Sequence, residues 1–345
     1  MLYRSSEVDI NTSYLKIFSL ITYNGRTTSS YEDNVHQPRR GTQLSSPRWE
    51  TRHNHWSISR YFVSLVIKNI PIIKSNKYPG IGAAIAENLA SKGASLVLNY
   101  TSDSSLDITN ELSESLTATY DVRCLIVQAD MGTPTGPAHL IASTKNSFAH
   151  PKTGKFEIDI LINNAGVAKD QFVPDVTIEE FDRQYRINVL GPLLLMQAAL
   201  PYLPHDRSGR IVNISSVSSS EGFKGQSIYG GTKAALEAMT RTWSRELAER
   251  ATVNAINPGP VLTDMWNKTS PEFKESMRPF VEHSPGMAIR EDIDPEALVL
   301  DGKKAGGRPG YVEEIAGIVG MLCTQDSLWC TGQVVCANGG MRMAI

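Results

Sequence analysis

A tyrosine and a lysine stand four residues apart in the stretch SIYGGTKAAL, residues 227–236. Residues i and i+4 share one face of a helix, so the ammonium of Lys233 can lie beside the phenol of Tyr229. A free tyrosine has a pKa of about 10, and a neighbouring cation lowers that pKa by favouring the phenolate. Such a pair is usually a solvated helix surface. The alternative is a general acid/base together with the cation that tunes it.

Three polar motifs elsewhere in the chain favour the catalytic alternative. Ser216 ends the apolar run GRIVNISS, and the motifs NNAG (163–166) and NPGPV (257–261) each follow another apolar run. No histidine lies near Ser216 in the sequence, so we interpret this serine as a hydrogen-bonding hydroxyl rather than a nucleophile.

Apolar strands alternate with helices from about residue 80 onward, and each strand is apolar on both faces, as a sheet covered by helices on both sides requires. The predicted strands are 94–100, 123–130, 158–166, 209–216, 252–259 and 332–340, and the predicted helices are 80–93, 104–118, 177–203, 229–250 and 312–323. This pattern predicts an α/β fold with a doubly wound parallel sheet, Rossmann-like, in a single domain. Such sheets bind ligands at the carboxyl ends of their strands, where the polar clusters of this sequence fall.

Gly80 and Gly82 open the first of these helices. Glycines here let the backbone approach a pyrophosphate, which the free N–H groups of a helix N-terminus attract. A plain turn is an equally good interpretation of the glycines alone. The expected earlier glycine of a dinucleotide loop is replaced by Asn76, a residue that tolerates the left-handed conformation better than most.

Taken together, the motifs resemble the short-chain dehydrogenase/reductase superfamily, single-domain type, over about residues 80–343. Within it, the chain looks similar to fungal secondary-metabolite reductases and 3-oxoacyl-carrier-protein reductases. The resemblance implies that Tyr229 is the general acid/base and that Ser216 holds the substrate carbonyl oxygen. It also implies that Lys233 binds the nicotinamide ribose and that Asn188 completes a proton relay, although Asn188 can equally be structural.

The resemblance further implies a set of cofactor-binding residues. Asp130 has a competing role in capping the next segment, and Thr263 is expected to bond the nicotinamide carboxamide. The expected cofactor residues are Gly80, Ile81, Gly82, Tyr100, Thr101, Ser102, Asp130, Asn164, Gly166, Tyr229, Lys233, Pro258, Gly259, Val261 and Thr263.

The end of the second strand bears on which nicotinamide cofactor binds. NAD-dependent enzymes carry a carboxylate there for the ribose 2′-hydroxyl. Residues 99–102 read NYTS and offer hydroxyls for a 2′-phosphate instead, which favours NADP (NADPH), with NAD possible.

A substrate lid is expected over about residues 264–310. Its first part, 265–283, is predicted to be a short amphipathic helix whose apolar residues suit an apolar or aromatic ketone, and 284–307 is expected to be a loop. The resemblance implies a homodimer or homotetramer paired through the helices at 177–203 and 229–250, and the expected ligand is a small carbonyl or alcohol.

Composition excludes several other classes of protein. The formal net charge of −2 gives no basic excess for nucleic acid. The apolar runs at 14–23 and 61–73 are shorter than the roughly 20 residues that span a bilayer. The four cysteines form no CxxC pair, so we expect reduced thiols, a cytoplasmic protein and no metal site.

The N-terminal part differs in character from the rest. Residues 1–70 are predicted to be a poorly ordered extension of a domain that covers 71–345. Lys74 and Pro71 fit poorly in the first, central strand of such a sheet. We hypothesise that residues 1–78 come from a misplaced start or a retained intron. The alternative is a true tail followed by a divergent strand over 72–75, and sequencing the 5′ end of the transcript distinguishes the two.

The sequence therefore predicts an NADP-dependent oxidoreductase that transfers a hydride between nicotinamide and a carbonyl or secondary alcohol, with a place in secondary metabolism. The alternatives are an NAD-dependent alcohol dehydrogenase and a catalytically silent nucleotide-binding relative.

Overall fold

The computed structural model of the protein describes residues 64–67, as a backbone strand, and residues 80–343. All seven described strands are parallel to their neighbours. Two ladders form, β1-β2-β3 and β4-β5-β6-β7, and β1 lies beside β4, so the order across the fold is 3-2-1-4-5-6-7. The strands are β1 (Ser64–Ile67), β2 (Leu96–Tyr100), β3 (Cys124–Gln128), β4 (Ile160–Asn163), β5 (Gly209–Ile214), β6 (Ala251–Pro258) and β7 (Val334–Ala337).

Ten α-helices of the described residues lie between the strands along the chain. They are α1 (Ile81–Ala90), α2 (Leu106–Tyr120), α3 (Gly136–Phe148), α4 (Ile178–Tyr185), α5 (Gly191–Ala199), α6 (Ser227–Glu246), α7 (Asp264–Asn267), α8 (Pro271–Glu282), α9 (Glu296–Ala305) and α10 (Val312–Leu322).

Two hydrophobic cores cover the two faces of the sheet. Helices α1, α2 and α10 contribute to one core, and α3, α5 and α6 contribute to the other. Every residue of β5 and β6 is buried, as expected for parallel strands covered on both faces. The predicted doubly wound α/β fold is confirmed.

The predicted strands after residue 90 are confirmed, with ends that differ by a few residues. Helix α3 was not predicted, because its sequence GPAHLIASTKNSF has a weak apolar stripe. The expected loop at 284–307 is wrong in part, since α9 occupies ten of its residues. Leu298 and Val299 are buried on that helix, and Gly306 ends it in the left-handed conformation.

The first strand lies earlier in the chain than expected. β1 pairs with β2, with Ser64 opposite Val97 and Ile67 opposite Tyr100. These four residues fall inside the stretch 1–70 that is predicted to be poorly ordered. Three of the four are apolar, and two of these, Val66 and Ile67, are β-branched and favour a strand. The alternative strand over 72–75, Asn76, and the rest of the extension lie outside the described residues.

Three further expectations concern the whole chain. Within residues 80–343, no helix is long and apolar enough to cross a membrane, and no group of acidic, histidine or cysteine side chains there could hold a metal ion. All four cysteines are free. Burial raises the pKa of Cys124 to about 11 and that of Cys323 to about 12, so both are thiols at neutral pH.

Two helical glycines give a matched test of how tightly α6 packs. A Cβ at Gly230 would lie 2.5 Å from the backbone oxygen of Ser218, whereas one at Gly317 would meet nothing within 4 Å. We expect Gly230→Ala to lower the free energy of unfolding by about 1–3 kcal/mol through overpacking. Gly317→Ala should raise it by about 0.5–1 kcal/mol, since alanine favours a helix. Urea denaturation checks both, and equal effects of the two changes would contradict this packing.

Candidate active site

Helix α6 carries both residues of the Tyr–Lys pair into the protein. Tyr229 and Lys233 lie in its first two turns and are 9% and 3% exposed. The Lys233 ammonium lies 5.6 Å from the centre of the Tyr229 ring. The two side chains are thus neighbours, as predicted, and their burial argues against a solvated helix surface.

The sheet holds the Lys233 ammonium. Nζ donates a hydrogen bond of 2.7 Å to the backbone oxygen of Ile214, the last residue of β5. A buried ammonium is costly unless it is hydrogen-bonded, so this bond fixes α6 against the carboxyl end of β5.

The pKa of Tyr229 differs from the expectation. Burial raises it to about 12, a hydrogen bond with Ser216 lowers it, and the negative charge of Asp170 raises it. The expected lowering is therefore wrong for this structure, because the desolvation of a fully buried phenol outweighs the effect of its partners. At neutral pH the phenol is protonated, which is the form that a proton donor requires.

Ser216 follows β5 and begins a 3₁₀ turn, Val217–Ser219. Its hydroxyl accepts from the backbone N–H of Ser218 at 3.2 Å and donates to the Ser218 hydroxyl at 3.0 Å. Together with its hydrogen bond to Tyr229, these contacts fix the hydroxyl beside the phenol.

Asn188 lies in a π-helical segment, Arg186–Leu190, between α4 and α5. The expected continuous helix at 177–203 is therefore interrupted. Pro192 has no N–H to donate to the Asn188 carbonyl four residues earlier, which disfavours the regular α-helical pattern here. Single π turns inside α-helices are frequent at functional sites.

The Asn188 side chain is fully buried and holds the loop after β4. It accepts from the Val167 N–H and donates to the Val167 carbonyl, both at 2.8 Å, and it donates to the Thr232 hydroxyl at 3.0 Å. This is the structural role left open by the sequence. The relay role stays a prediction.

Gly166 lies beside both the Lys233 ammonium and the Asn188 side-chain amide. A Cβ there would lie 3.3 Å from Lys233 Nζ and 3.7 Å from Asn188 Oδ1. A side chain would therefore fill the space beside the ammonium and the amide. Asn164 and Gly166 follow Asn163, the last residue of β4, so the NNAG motif lies at the carboxyl end of that strand.

The residues expected to hold a dinucleotide lie at the same edge of the sheet. Gly80 is the N-cap of α1, and Ile81 and Gly82 form its first turn. Among the described residues this turn has no side-chain cap and no acidic group. Its N–H groups and positive dipole end fit a pyrophosphate.

At the end of β2, the residues expected near the ribose differ in their exposure to solvent. Tyr100 is the last strand residue and is 6% exposed, whereas Thr101 and Ser102 are partly exposed. The Ser102 hydroxyl hydrogen-bonds that of Ser104 at 2.9 Å. The Asp103 carboxylate accepts from the Gln128 amide at 2.8 Å.

Asp130 caps a turn. Its Oδ1 accepts from the Gly132 N–H at 2.8 Å, which is the structural alternative considered for this residue. Its contact with adenine remains a prediction.

The NPGPV motif leads from the sheet into the lid. Pro258 ends β6, Gly259 follows it, and Val261 is buried and bridged to Gly310. The Thr263 hydroxyl caps α7 by accepting from Trp266 N–H at 3.5 Å. Asp264 is the first residue of that helix.

Arg308 fixes the far end of the lid through two carboxylates, those of Glu314 and Asp294. Its guanidinium donates two hydrogen bonds to the Glu314 carboxylate, at 2.8 and 2.9 Å, and lies 3.6 Å from Asp294. Tyr311 donates to Asp294 at 3.1 Å. Burial alone would raise the pKa of Asp294, but the hydrogen bonds from Arg290 N–H and Tyr311, with the charges of Arg308 and Arg290, hold this pKa below its ordinary value.

Comparison with known proteins gives the family. A sequence model of the short chain dehydrogenase family matches residues 77–274. The chain belongs to the short-chain dehydrogenase family and is an oxidoreductase. The predicted likeness to fungal and 3-oxoacyl-carrier-protein reductases is confirmed by similarity to both kinds of protein.

Two similar proteins are reductases of sugars. An L-xylulose reductase of Aspergillus niger is 54% identical over 279 residues, covering 76% of this chain and 94% of that protein. An L-xylo-3-hexulose reductase of Hypocrea jecorina is 50% identical over 286 residues, covering 77% and 94%. Among solved structures, a metagenomic blue fluorescent protein in complex with NADPH is similar with a TM-score of 0.66 and 27% identity, covering 83% of this chain and 100% of that one.

Several residues of the site were missed by sequence reasoning. Thr232, the Ile214 carbonyl and the Arg308 network carry no motif signal of their own. A backbone carbonyl is invisible in a sequence, and Arg308 finds Asp294 only through the fold. The Gly191–Pro192 pair inside a predicted helix was the available sign of the π-helical segment.

The buried Arg308 network gives a test of lid order. Arg308→Met leaves the buried Asp294 carboxylate without its main cation, which costs about 3–5 kcal/mol for a buried pair. We expect faster hydrogen exchange in the lid, residues 264–310. Arg290→Met is the control, because the half-exposed Arg290 lies 3.8 Å from the same carboxylate and should have a much smaller effect. Equal exchange in the two variants would contradict the network.

Proposed function

We propose that this protein is an NADPH-dependent ketone reductase in which Tyr229 donates the proton to the carbonyl oxygen. The observation that carries the proposal is a chain of contacts at the carboxyl ends of β4 and β5: Asn188 and Lys233 lie beside Gly166, Lys233 lies beside the Tyr229 ring, and Ser216 hydrogen-bonds Tyr229.

Each residue has a defined task in this proposal. The Ser216 hydroxyl, beside the phenol, orients the substrate carbonyl oxygen towards Tyr229. The phenol is protonated at neutral pH and gives its proton to that oxygen. Lys233 supplies the charge that stabilises the resulting phenolate and binds the nicotinamide ribose. Asn188 holds the NNAG loop open beside the ammonium and passes protons towards Lys233.

The cofactor supplies the hydride to the carbonyl carbon. The N-terminus of α1 would hold its pyrophosphate, Asn164 and Gly166 would lie along the ribose, and Thr101 and Ser102 would meet the 2′-phosphate. The NADPH complex of a protein 27% identical to this one supports this choice over NAD.

A polyhydroxylated ketone is the substrate class that we favour. The similar proteins of A. niger and H. jecorina are named for L-xylulose and L-xylo-3-hexulose. The apolar lid residues that suggested an apolar ketone pack largely against one another: Met277, Val281 and Met287 form a small buried core with Phe223 and Phe273 beside it. A place in secondary metabolism, a cytoplasmic location and a homodimer or homotetramer remain predictions.

A direct assay tests the proposal. The purified protein should oxidise NADPH in the presence of L-xylulose and should do so with higher kcat/KM than with NADH. Cofactor binding without turnover on any ketone would favour the catalytically silent alternative. A preference for NADH would favour the NAD-dependent dehydrogenase.

The role of Tyr229 has a test of its own. Tyr229→Phe should lower kcat by a factor of roughly 10²–10⁴, the usual contribution of a general acid, and should leave the Kd for NADPH nearly unchanged. Thr242→Ala is a control on the same helix, because it removes an exposed hydroxyl that donates to the Ala238 carbonyl, thirteen residues after Tyr229. A Tyr229→Phe enzyme within twofold of the parent would remove this residue from the mechanism.

A further inference from the structure

The loop after the NNAG motif touches the loop before α6 through backbone and side-chain contacts, and the Gln171 side-chain amide donates to the Asp175 carbonyl at 2.9 Å. The Gln171 N–H donates to the Gly225 carbonyl at 2.8 Å, and Gln171 pairs with Gln226 in a parallel bridge. The Gln226 amide donates to the Asp170 carboxylate at 3.1 Å. We call Asp170, Gln171 and Gln226 the polar cluster. Gln226 precedes α6 and is three residues from Tyr229.

The polar cluster has hydrogen-bonding capacity that the protein does not use. The side-chain amide oxygens of Gln171 and Gln226 are both buried, and neither has a hydrogen-bond partner within the part of the chain that the structure describes. A buried acceptor without a partner costs about 1–3 kcal/mol. Such atoms are few in native proteins and each calls for an explanation.

The cluster also lies within electrostatic reach of the reacting group. The charge of Asp170 contributes to the raised pKa of Tyr229, and a Cβ at Gly225 would lie 3.6 Å from the Asp170 Cβ. The contact between these two loops therefore places the Asp170 carboxylate, with the Gln226 amide bonded to it, within electrostatic reach of the phenol that is proposed to protonate the substrate.

The aromatic residue next to the polar cluster, Phe223, packs against aromatic residues of the lid. The Phe223 ring lies edge-to-face with Phe273 at 6.1 Å and with Phe280 at 5.3 Å. These rings pack on one another and offer no hydrogen-bonding group to a substrate. Carboxylate and amide oxygens accept hydrogen bonds from hydroxyl groups.

We propose that Asp170, Gln171 and Gln226 recognise the hydroxyl groups that flank the carbonyl of a polyhydroxylated ketone. This inference rests on the proposed reductase function and assigns its substrate specificity to named residues. A site built to accept hydrogen bonds from substrate hydroxyls disfavours an analogue that lacks them, because its own buried acceptors then stay unpaired.

A purely structural role is the competing explanation. The Asp170–Gln226 bond could serve only to hold the start of α6 and so to place Tyr229. In that case its loss would affect every substrate alike. The comparison of a hydroxylated and a hydroxyl-free ketone separates the two explanations.

The test uses Asp170→Ala and Gln226→Leu, each assayed with L-xylulose and with 2,3-butanedione. Asp175→Asn is the matched control, because it removes the same charge from an exposed position of the same loop. We expect kcat/KM for L-xylulose to fall at least tenfold in the two cluster variants, mainly through KM. The kcat/KM for 2,3-butanedione should change less than twofold. Asp175→Asn should match the parent on both.

A parallel fall on both ketones, or no fall on L-xylulose, would overturn the inference. If the parent rejects 2,3-butanedione, inhibition by a pentitol replaces it: the inhibition constant should rise at least tenfold in the cluster variants, and an unchanged constant would overturn the inference. Failure of the reductase function would look different, since the parent would then turn over NADPH with neither ketone.

Discussion

The site depends on one buried cation. The Lys233 ammonium is 3% exposed and donates to the Ile214 carbonyl at 2.7 Å, so α6 is tied to the carboxyl end of β5. Its neighbours are constrained in turn. Gly166 must lack a side chain, because a Cβ there would lie 3.3 Å from Nζ. Tyr229, one helical turn before Lys233, is carried into the protein by the same anchoring.

The loops around the site follow from this arrangement. The Asn188 side chain holds Val167 through two hydrogen bonds to its backbone. It can do so because the π-helical segment turns this side chain towards the NNAG loop. The next residues of that loop, up to Gln171, then reach Gly225 and Gln226 just before α6. Proton transfer at Tyr229 and substrate recognition at Asp170 are therefore proposed to share one set of backbone contacts.

Much of this could be predicted from the sequence, because the strands are continuous apolar runs and the motifs follow them at their carboxyl ends. The pairing of Tyr229 with Lys233 came from their spacing, and the roles of Ser216 and Gly166 came from the resemblance to the family. The raised pKa of Tyr229 could not be predicted from the sequence, because desolvation depends on packing that no local pattern records. Strand β1 was placed too late because its position was counted back from the glycines at the start of α1, although its four residues lie in the apolar run 61–73. Helix α9 was missed because it is held by the lid and by the distant Arg308 network.

The most direct test is Lys233→Met, with NADPH binding followed by fluorescence and unfolding followed by temperature. Methionine keeps most of the apolar stem of the side chain and removes its charge. The account predicts at least a tenfold rise in the Kd for NADPH together with a lower unfolding temperature, because the buried Ile214 carbonyl loses its hydrogen-bond partner. An unchanged Kd with a lower unfolding temperature would show that Lys233 only fastens the helix to the sheet, and would contradict the account.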